Sequence, residues 1–210
     1  MNGVIFDFDG VLADSEGISA RAWVDVLASH GIEATDADLA ACLGLSSRDT
    51  YAYFDDKRSL PEYRHVLSEV DERRRACYGT ELESFPDATS AARALAMVGV
   101  PLAIASSSSR VNLDLKLDAL DLGRYFDVTL AGDEVAHPKP EPDLYRAAVA
   151  QLGIDAATSI AIEDTRVGAD AAAAAGLRTV IVNRMGLPTG SHPVISEVDA
   201  DMLLLWLGRL

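Results

Sequence analysis

Five short runs in this chain are almost continuously apolar: Val4 to Asp7, Pro101 to Ser106, Phe126 to Leu130, Ser159 to Glu163 and Arg178 to Asn183. A strand with one wet face alternates apolar and polar residues, whereas a strand of a parallel sheet is covered on both faces and reads as one apolar run. Helical patterns lie between the runs. Ala88, Ala91, Ala92 and Leu95 fall at i, i+3, i+4, i+7 spacing with Gly99 as the stop. Leu113, Leu117 and Leu120 run toward Gly123, Leu144, Ala148 and Leu152 toward Gly153, and the alanine run from Ala171 closes at Gly176. Strand and helix in alternation predict a doubly wound α/β domain.

The rhythm breaks between about Ser15 and Glu83, where the patterns are helical only. Trp23, Val26, Leu27 and His30 share a face that ends at Gly31; Thr35 to Leu43, Ser47 to Phe54 and Pro61 to Tyr78 are further helix candidates. The expected organisation is a core of residues 1–14 and 84–210, with an all-helical insert, residues 15–83, emerging after the first strand.

Charge narrows the partners. Eighteen Lys and Arg stand against 33 Asp and Glu, a formal charge of -15. Such a surface repels nucleic acid and anionic membrane, so neither is expected as a partner. An anionic small substrate stays compatible, because a metal ion and a few local cations can reverse the potential inside one pocket. The start of the chain lacks the pattern of a secretory signal, and the late apolar run Met202 to Leu207 is too short to span a membrane. That run reads as a terminal helix packed on the core, with an oligomer contact as the alternative. Cys42 and Cys77 read as free thiols, with a disulfide as the alternative, and a cytoplasmic protein, monomeric or a weak homodimer, is expected.

Ligands of open parallel sheets bind at the carboxyl ends of the strands. Here the first run ends in Asp7-Phe8-Asp9-Gly10, the second in Ser106 followed by Ser107, and a later one in Glu163-Asp164; Lys139 lies in the segment His137-Pro138-Lys139-Pro140. Moving a phosphoryl group needs a nucleophile, cations for its oxygens, and proton transfer to and from the leaving and attacking oxygens. One carboxylate can be the nucleophile, a second one two residues on can be general acid and then base, and hard carboxylate oxygens suit Mg²⁺. A lysine adds fixed positive charge, and a hydroxyl with backbone N–H groups before a helix can hold the remaining oxygens.

These segments resemble the motifs of the haloacid dehalogenase superfamily, in order and over the whole chain. The first reads Phe6-Asp7-Phe8-Asp9-Gly10-Val11-Leu12-Ala13-Asp14-Ser15, the second Ile104-Ala105-Ser106, the third Lys139-Pro140-Glu141-Pro142 and the fourth Ile162-Glu163-Asp164. The resemblance implies a Rossmann-like core and identifies the helical insert with that family's cap. It implies Asp7 as nucleophile and metal ligand, and Asp9 as acid/base with its backbone carbonyl on the metal. It implies Asp164 and Glu163 as metal-binding acids, Ser106 and Ser107 as the phosphoryl-binding pair, and Lys139 as the bridge between nucleophile and phosphate. Mg²⁺ is the implied cofactor. Gly44 and Arg48, in the segment Gly44-Leu45-Ser46-Ser47-Arg48, are the candidates for substrate contact from the insert.

Other polar residues read more plainly. Ser108 and Ser109 read as polar loop and helix cap, Arg73 to Arg75 as a solvated helix face with substrate contact by Arg74 as the alternative, and Gly168 as a point of close helix approach. His30, His65, His137 and His192 read as surface, loop or packing residues.

Within the superfamily, Asp9 points to phosphate esters, since a leaving alkoxide needs a proton. The branch resembled is that of β-phosphoglucomutase and the sugar-phosphate phosphatases. A mutase histidine on the first insert helix would fall at Ser19, and the turn before Arg48 is one residue longer than the mutase type. The expectation is therefore a Mg²⁺-dependent phosphatase acting on a small phosphorylated metabolite, a sugar or sugar-acid phosphate. A sugar phosphomutase and a phosphate-binding regulator without turnover are the alternatives.

Overall fold

A computed structural model describes residues 1–209; Leu210, last of the expected core segment, lies outside the described residues. Its chain divides into two compact units, one of Met1–Asp14 with Glu83–Leu210 and the other of Ser15–Leu82.

The first unit is built on a parallel sheet. Its strands are β1 (Val4–Phe6), β4 (Leu102–Ser106), β5 (Val128–Ala131), β6 (Ile160–Glu163), β7 (Arg178–Val182) and β8 (Val194–Ile195), in the spatial order β5-β4-β1-β6-β7-β8. Every residue of β1, β4 and β6 is buried, which is why these strands carry no alternation. Order reverses at β1: Ile5 pairs with Ala103 of β4 on one side and Ala161 of β6 on the other. Such a switch point opens a crevice at the strands' carboxyl ends.

Helices α5 (Pro86–Met97), α6 (Arg110–Leu120), α7 (Asp143–Leu152), α8 (Arg166–Ala174) and α9 (Ala200–Trp206) complete this unit. Helix α7 packs on β4 and β5, α8 on β6 and β7, and α9 on α5. Under α7 and α8 the core joins Ile5, Leu130, Leu144 and Tyr145 to a set of alanines that includes Ala103, Ala161, Ala171 and Ala172. Each fully buried leucine or isoleucine there contributes roughly 1.5–3 kcal/mol of transfer free energy, and the alanines let the helices sit close to the sheet. The terminal run from Met202 sits in α9 with Leu203 fully buried, as a packed helix should.

The second unit is all-helical: α1 (Glu16–Ser29), α2 (Asp36–Cys42), α3 (Ser47–Lys57) and α4 (Tyr63–Glu81). It has a core of its own around Trp23, Val26, Leu27, Phe54, Val66 and Val70. Thr35 closes a capping box with Asp38, and Ser46 caps α3 by accepting from the Asp49 N–H, which fixes where the short helices begin.

Strands β2 (Ala13–Asp14) and β3 (Glu83–Ser84) pair antiparallel, Asp14 opposite Glu83. Two local features depart from the sequence reading. Helix α6 stops at Asp121, left-handed at φ 52°, and not at Gly123, which begins a 3₁₀ turn. Strand β8 has no counterpart among the sequence runs, two residues being too few to show a period.

Candidate active site

The carboxyl ends of β1, β4 and β6 bring the predicted residues of the first unit together. Asp7 follows β1 directly, its N–H donating to the Ile162 carbonyl of β6 at 2.9 Å, and only 6% of it is exposed. The chain then turns: the N–H of Gly10 donates to Ala13, and Leu12 and Ala13 both donate to the Phe8 carbonyl. Gly10 has φ +79°, and a Cβ there would lie 2.0 Å from Asp164 Oδ2, so this turn brings the backbone against the fourth motif only as glycine.

Glu163 ends β6 and Asp164 follows it, both buried. Carboxylate oxygens of Asp7, Glu163 and Asp164 all lie within 4.8 Å of one another. Lys139 reaches into this set, its Nζ 2.7 Å from Asp7 Oδ1 and 2.6 Å from Glu163 Oε1. The hydroxyl of Tyr145, fully buried on α7, donates to the same Glu163 oxygen. Gly168 in α8 is the point of close approach: a Cβ there would come 2.1 Å from Glu163 Oε1.

Three carboxylates against one ammonium leave two negative charges when all are ionised. The imbalance acts on the proton affinities of these groups. Burial pushes the Asp7 carboxyl from the ordinary 3.8 up to about 7; Lys139 opposes this, and the charges of Glu163 and Asp9 add to it. Burial, with Asp7 and Glu163 as like-charged neighbours, also holds Asp164 well above its ordinary range. Burial works against the Lys139 ammonium, but Asp7 and Glu163 outweigh it and hold the proton on far above the usual range. Buried hard oxygens, converging and short of two positive charges, fit a small divalent cation.

The Asp9 carboxylate is not one of that group. Lys116 of α6 places Nζ 2.6 Å from each of its oxygens, the Ser108 hydroxyl donates to Asp9 Oδ2 at 3.0 Å, and the Ser106 hydroxyl lies 3.4 Å from that oxygen. Ser106, fully buried at the end of β4, also accepts from the Ser108 N–H at 3.1 Å. Ser107 beside it is exposed. Ser109 is the helix cap of α6, but Ser108 is not: its hydroxyl belongs to Asp9 and Lys116.

Gly44 and Arg48 belong to the helical unit. Gly44 takes φ +73°, and the exposed Arg48 lays its guanidinium 5.0 Å from the Tyr63 ring centroid. Arg74 corrects the reading of a solvated face, since 14% of its side chain is exposed and it donates to Ser19 Oγ at 2.6 Å and Ser47 Oγ at 3.2 Å. The histidines pair with carboxylates: His30 and His65 with Glu69, His137 with Asp143, and His192 with Asp170.

Sequence reasoning missed Lys116 and Tyr145. A signal for the first was present. Lys116 completes the i, i+3, i+4, i+7 stripe of Leu113, Leu117 and Leu120, a charged residue on a face that otherwise reads as core.

Known proteins resemble this chain along its length. The family described as haloacid dehalogenase-like hydrolase matches residues 4–182. Hexitol phosphatase B of Escherichia coli K12 is 31% identical over 203 residues, covering 95% of this chain and 91% of that protein. SUPPRESSOR OF QUENCHING 1, a chloroplastic protein of Arabidopsis thaliana, is 30% identical over all of this chain, which spans only 20% of that protein's length. Among solved structures, CbbY from Rhodobacter sphaeroides in complex with phosphate aligns over 99% of each chain, with a TM-score of 0.85 and 26% identity.

Proposed function

The chain belongs to the haloacid dehalogenase-like hydrolase family, and from that premise we propose that it is a Mg²⁺-dependent phosphatase of a small phosphorylated metabolite, a sugar or sugar-acid phosphate. The observation that carries this reading is the buried set of Asp7, Glu163 and Asp164 around Lys139, two positive charges short, with a further carboxylate, Asp9, two residues from Asp7. The substrate class follows the similarity to hexitol phosphatase B.

In this reading Asp7 attacks phosphorus and the leaving oxygen takes a proton from Asp9. Asp9 then draws a proton from water as that water cleaves the aspartyl-phosphate. Lys139, fixed between Asp7 and Glu163, neutralises charge on the phosphoryl oxygens and keeps the nucleophile in place. Ser106 and the N–H of Ser107 hold the phosphoryl group. Asp7, Glu163 and Asp164, with the Asp9 carbonyl, would hold Mg²⁺, which when bound polarises the phosphoryl group and offsets its charge. The helical unit acts as the cap, Gly44 and Arg48 touching the substrate. The histidine a mutase would carry on α1 is Ser19, whose hydroxyl accepts from Arg74 at 2.6 Å and offers no base, so hydrolysis is favoured over phosphoryl exchange.

The test is phosphate release from a panel of sugar, polyol, sugar-acid and nucleotide phosphates, with Mg²⁺ and with excess chelator. The expected result is metal-dependent release with a preference for sugar or polyol esters, and loss of at least about 10³-fold in Asp7→Asn, as for removal of a covalent nucleophile. Turnover that survives in pure Asp7→Asn would remove the aspartyl-phosphate from this account.

A further inference from the structure

We infer that Lys116 is a positioning residue for Asp9: its buried ammonium clamps that carboxylate in the orientation from which it exchanges protons with the leaving and attacking oxygens. The inference rests on the reading of Asp9 as the acid and base of a phosphatase.

Lys116 lies on α6, whose buried face is Asn112, Leu113, Lys116 and Leu117, and its side chain is 2% exposed. A lysine is rarely so deeply covered unless it is paired. Its pairing is specific. Nζ sits 2.6 Å from Asp9 Oδ1 and 2.6 Å from Oδ2, and donates to Ser108 Oγ at 2.7 Å; that hydroxyl donates in turn to Asp9 Oδ2 at 3.0 Å. The three groups form a closed triangle, with the Phe8 ring centroid 5.0 Å from the ammonium. Asp9 needs such a clamp more than its neighbours do. It stands on the turn after β1 with its side chain 34% exposed, where staggered rotamers compete, whereas the Asp7 side chain is 9% exposed. Lys139 bonds Asp7 and Glu163 instead. The two lysines therefore divide the work: one holds the nucleophile and the other aims the proton donor.

In the first step the bond from Asp7 oxygen to phosphorus forms, the ester oxygen–phosphorus bond breaks, and the proton of Asp9 passes to the departing oxygen. In the second, water oxygen bonds to phosphorus, the Asp7–phosphorus link breaks, and a proton of that water returns to Asp9. Lys116 gives up no proton in either step. It fixes the direction along which the proton travels, and proton transfer tolerates little misplacement.

The experiment compares two esters in steady-state kinetics with Mg²⁺ present. The nitrophenolate of p-nitrophenyl phosphate departs without a proton, while the fastest sugar or polyol ester of the panel needs one. For Lys116→Met, kcat/KM should fall on the order of 10²-fold for the alkyl ester and stay within about threefold for the aryl ester. Ser108→Ala should show the same split, smaller, and it leaves the buried charge paired should Lys116→Met fail to fold. Adding Lys116→Met to Asp9→Asn should cost less than about twofold more, because both act through one group. An equal loss on both esters, or losses that multiply with Asp9→Asn, would overturn the inference while the phosphatase stands. A wild-type protein that hydrolyses neither ester removes the phosphatase reading, and the role of Lys116 with it.

Discussion

At the scale of single residues, the balance of charge around Asp7 governs both affinity and stability. Without a cation, burial and like-charged neighbours lift this carboxyl from 3.8 to about 7. An acid whose folded-state pKa is raised contributes stability that is fully present below its unfolded value and is lost as the pH climbs through the folded one. Over the window from 3.8 to about 7, the metal-free folded chain should therefore lose stability at this site as pH rises, and Asp164, shifted the same way, adds to the trend. A divalent cation replaces the proton that the folded state otherwise keeps. The rise in melting temperature on adding Mg²⁺ should accordingly be small near pH 5 and grow toward pH 8. Thermal denaturation with Mg²⁺ and with chelator across that range measures it; a shift that is absent, or the same at every pH, would speak against the carboxylate set as a metal site.

At the scale of elements, helix α8 shows a site overriding local preference. Alanine is normally the better helix residue by about 1 kcal/mol, so Gly168→Ala should stabilise α8 in isolation. In the folded chain the new Cβ would meet Glu163 Oε1 at 2.1 Å and must push that carboxylate off Lys139 and Tyr145. The expected net result is a lower melting temperature and about 10–100-fold weaker Mg²⁺ affinity, as when the support of a metal ligand is disturbed; calorimetric titration decides, and unchanged affinity would show that Glu163 is not needed for the metal. The same tension sets what could be read from the sequence. Strands β1, β4 and β6 were legible because burial on both faces leaves them all apolar, and with their ends came Asp7, Ser106 and Glu163. Strands β2 and β3 were not, because two-residue pairs are specified by their partner and not by a pattern of their own. Asp121 ends α6 in a left-handed conformation that glycine would advertise and aspartate hides. Lys116 is the instructive miss: its place on the Leu113–Leu117 stripe marked it as buried, but only the fold shows that Asp9, 107 residues away, is what it pairs with.

At the scale of the whole molecule, the chain leaves and re-enters the first unit through two paired residues on each side, Ala13 opposite Ser84 and Asp14 opposite Glu83. Each unit has its own apolar core, one including Ile5, Leu144 and Tyr145 and the other Trp23, Phe54 and Val70. Asp7, Asp9, Ser106, Lys116, Lys139, Glu163 and Asp164 all fall in the first, while Gly44 and Arg48 fall in the second. If chemistry belongs to one and selection to the other, they should separate on excision. Replacing residues 15–82 by Asn-Gly turns β2 and β3 into an ordinary two-residue hairpin, the loop type whose twist matches the flanking strands. The shortened chain should keep a cooperative thermal transition and Mg²⁺-dependent hydrolysis of p-nitrophenyl phosphate to within about tenfold, since the aryl ester asks little of remote contacts. Its kcat/KM for the preferred metabolite should drop by about 10²-fold or more, so that the preference across the panel collapses. A shortened chain that still chose the same metabolite would place specificity in the sheet unit and leave Gly44 and Arg48 without the role proposed for them; one that lost the transition would show that the sheet unit depends on the helical one although each has its own core.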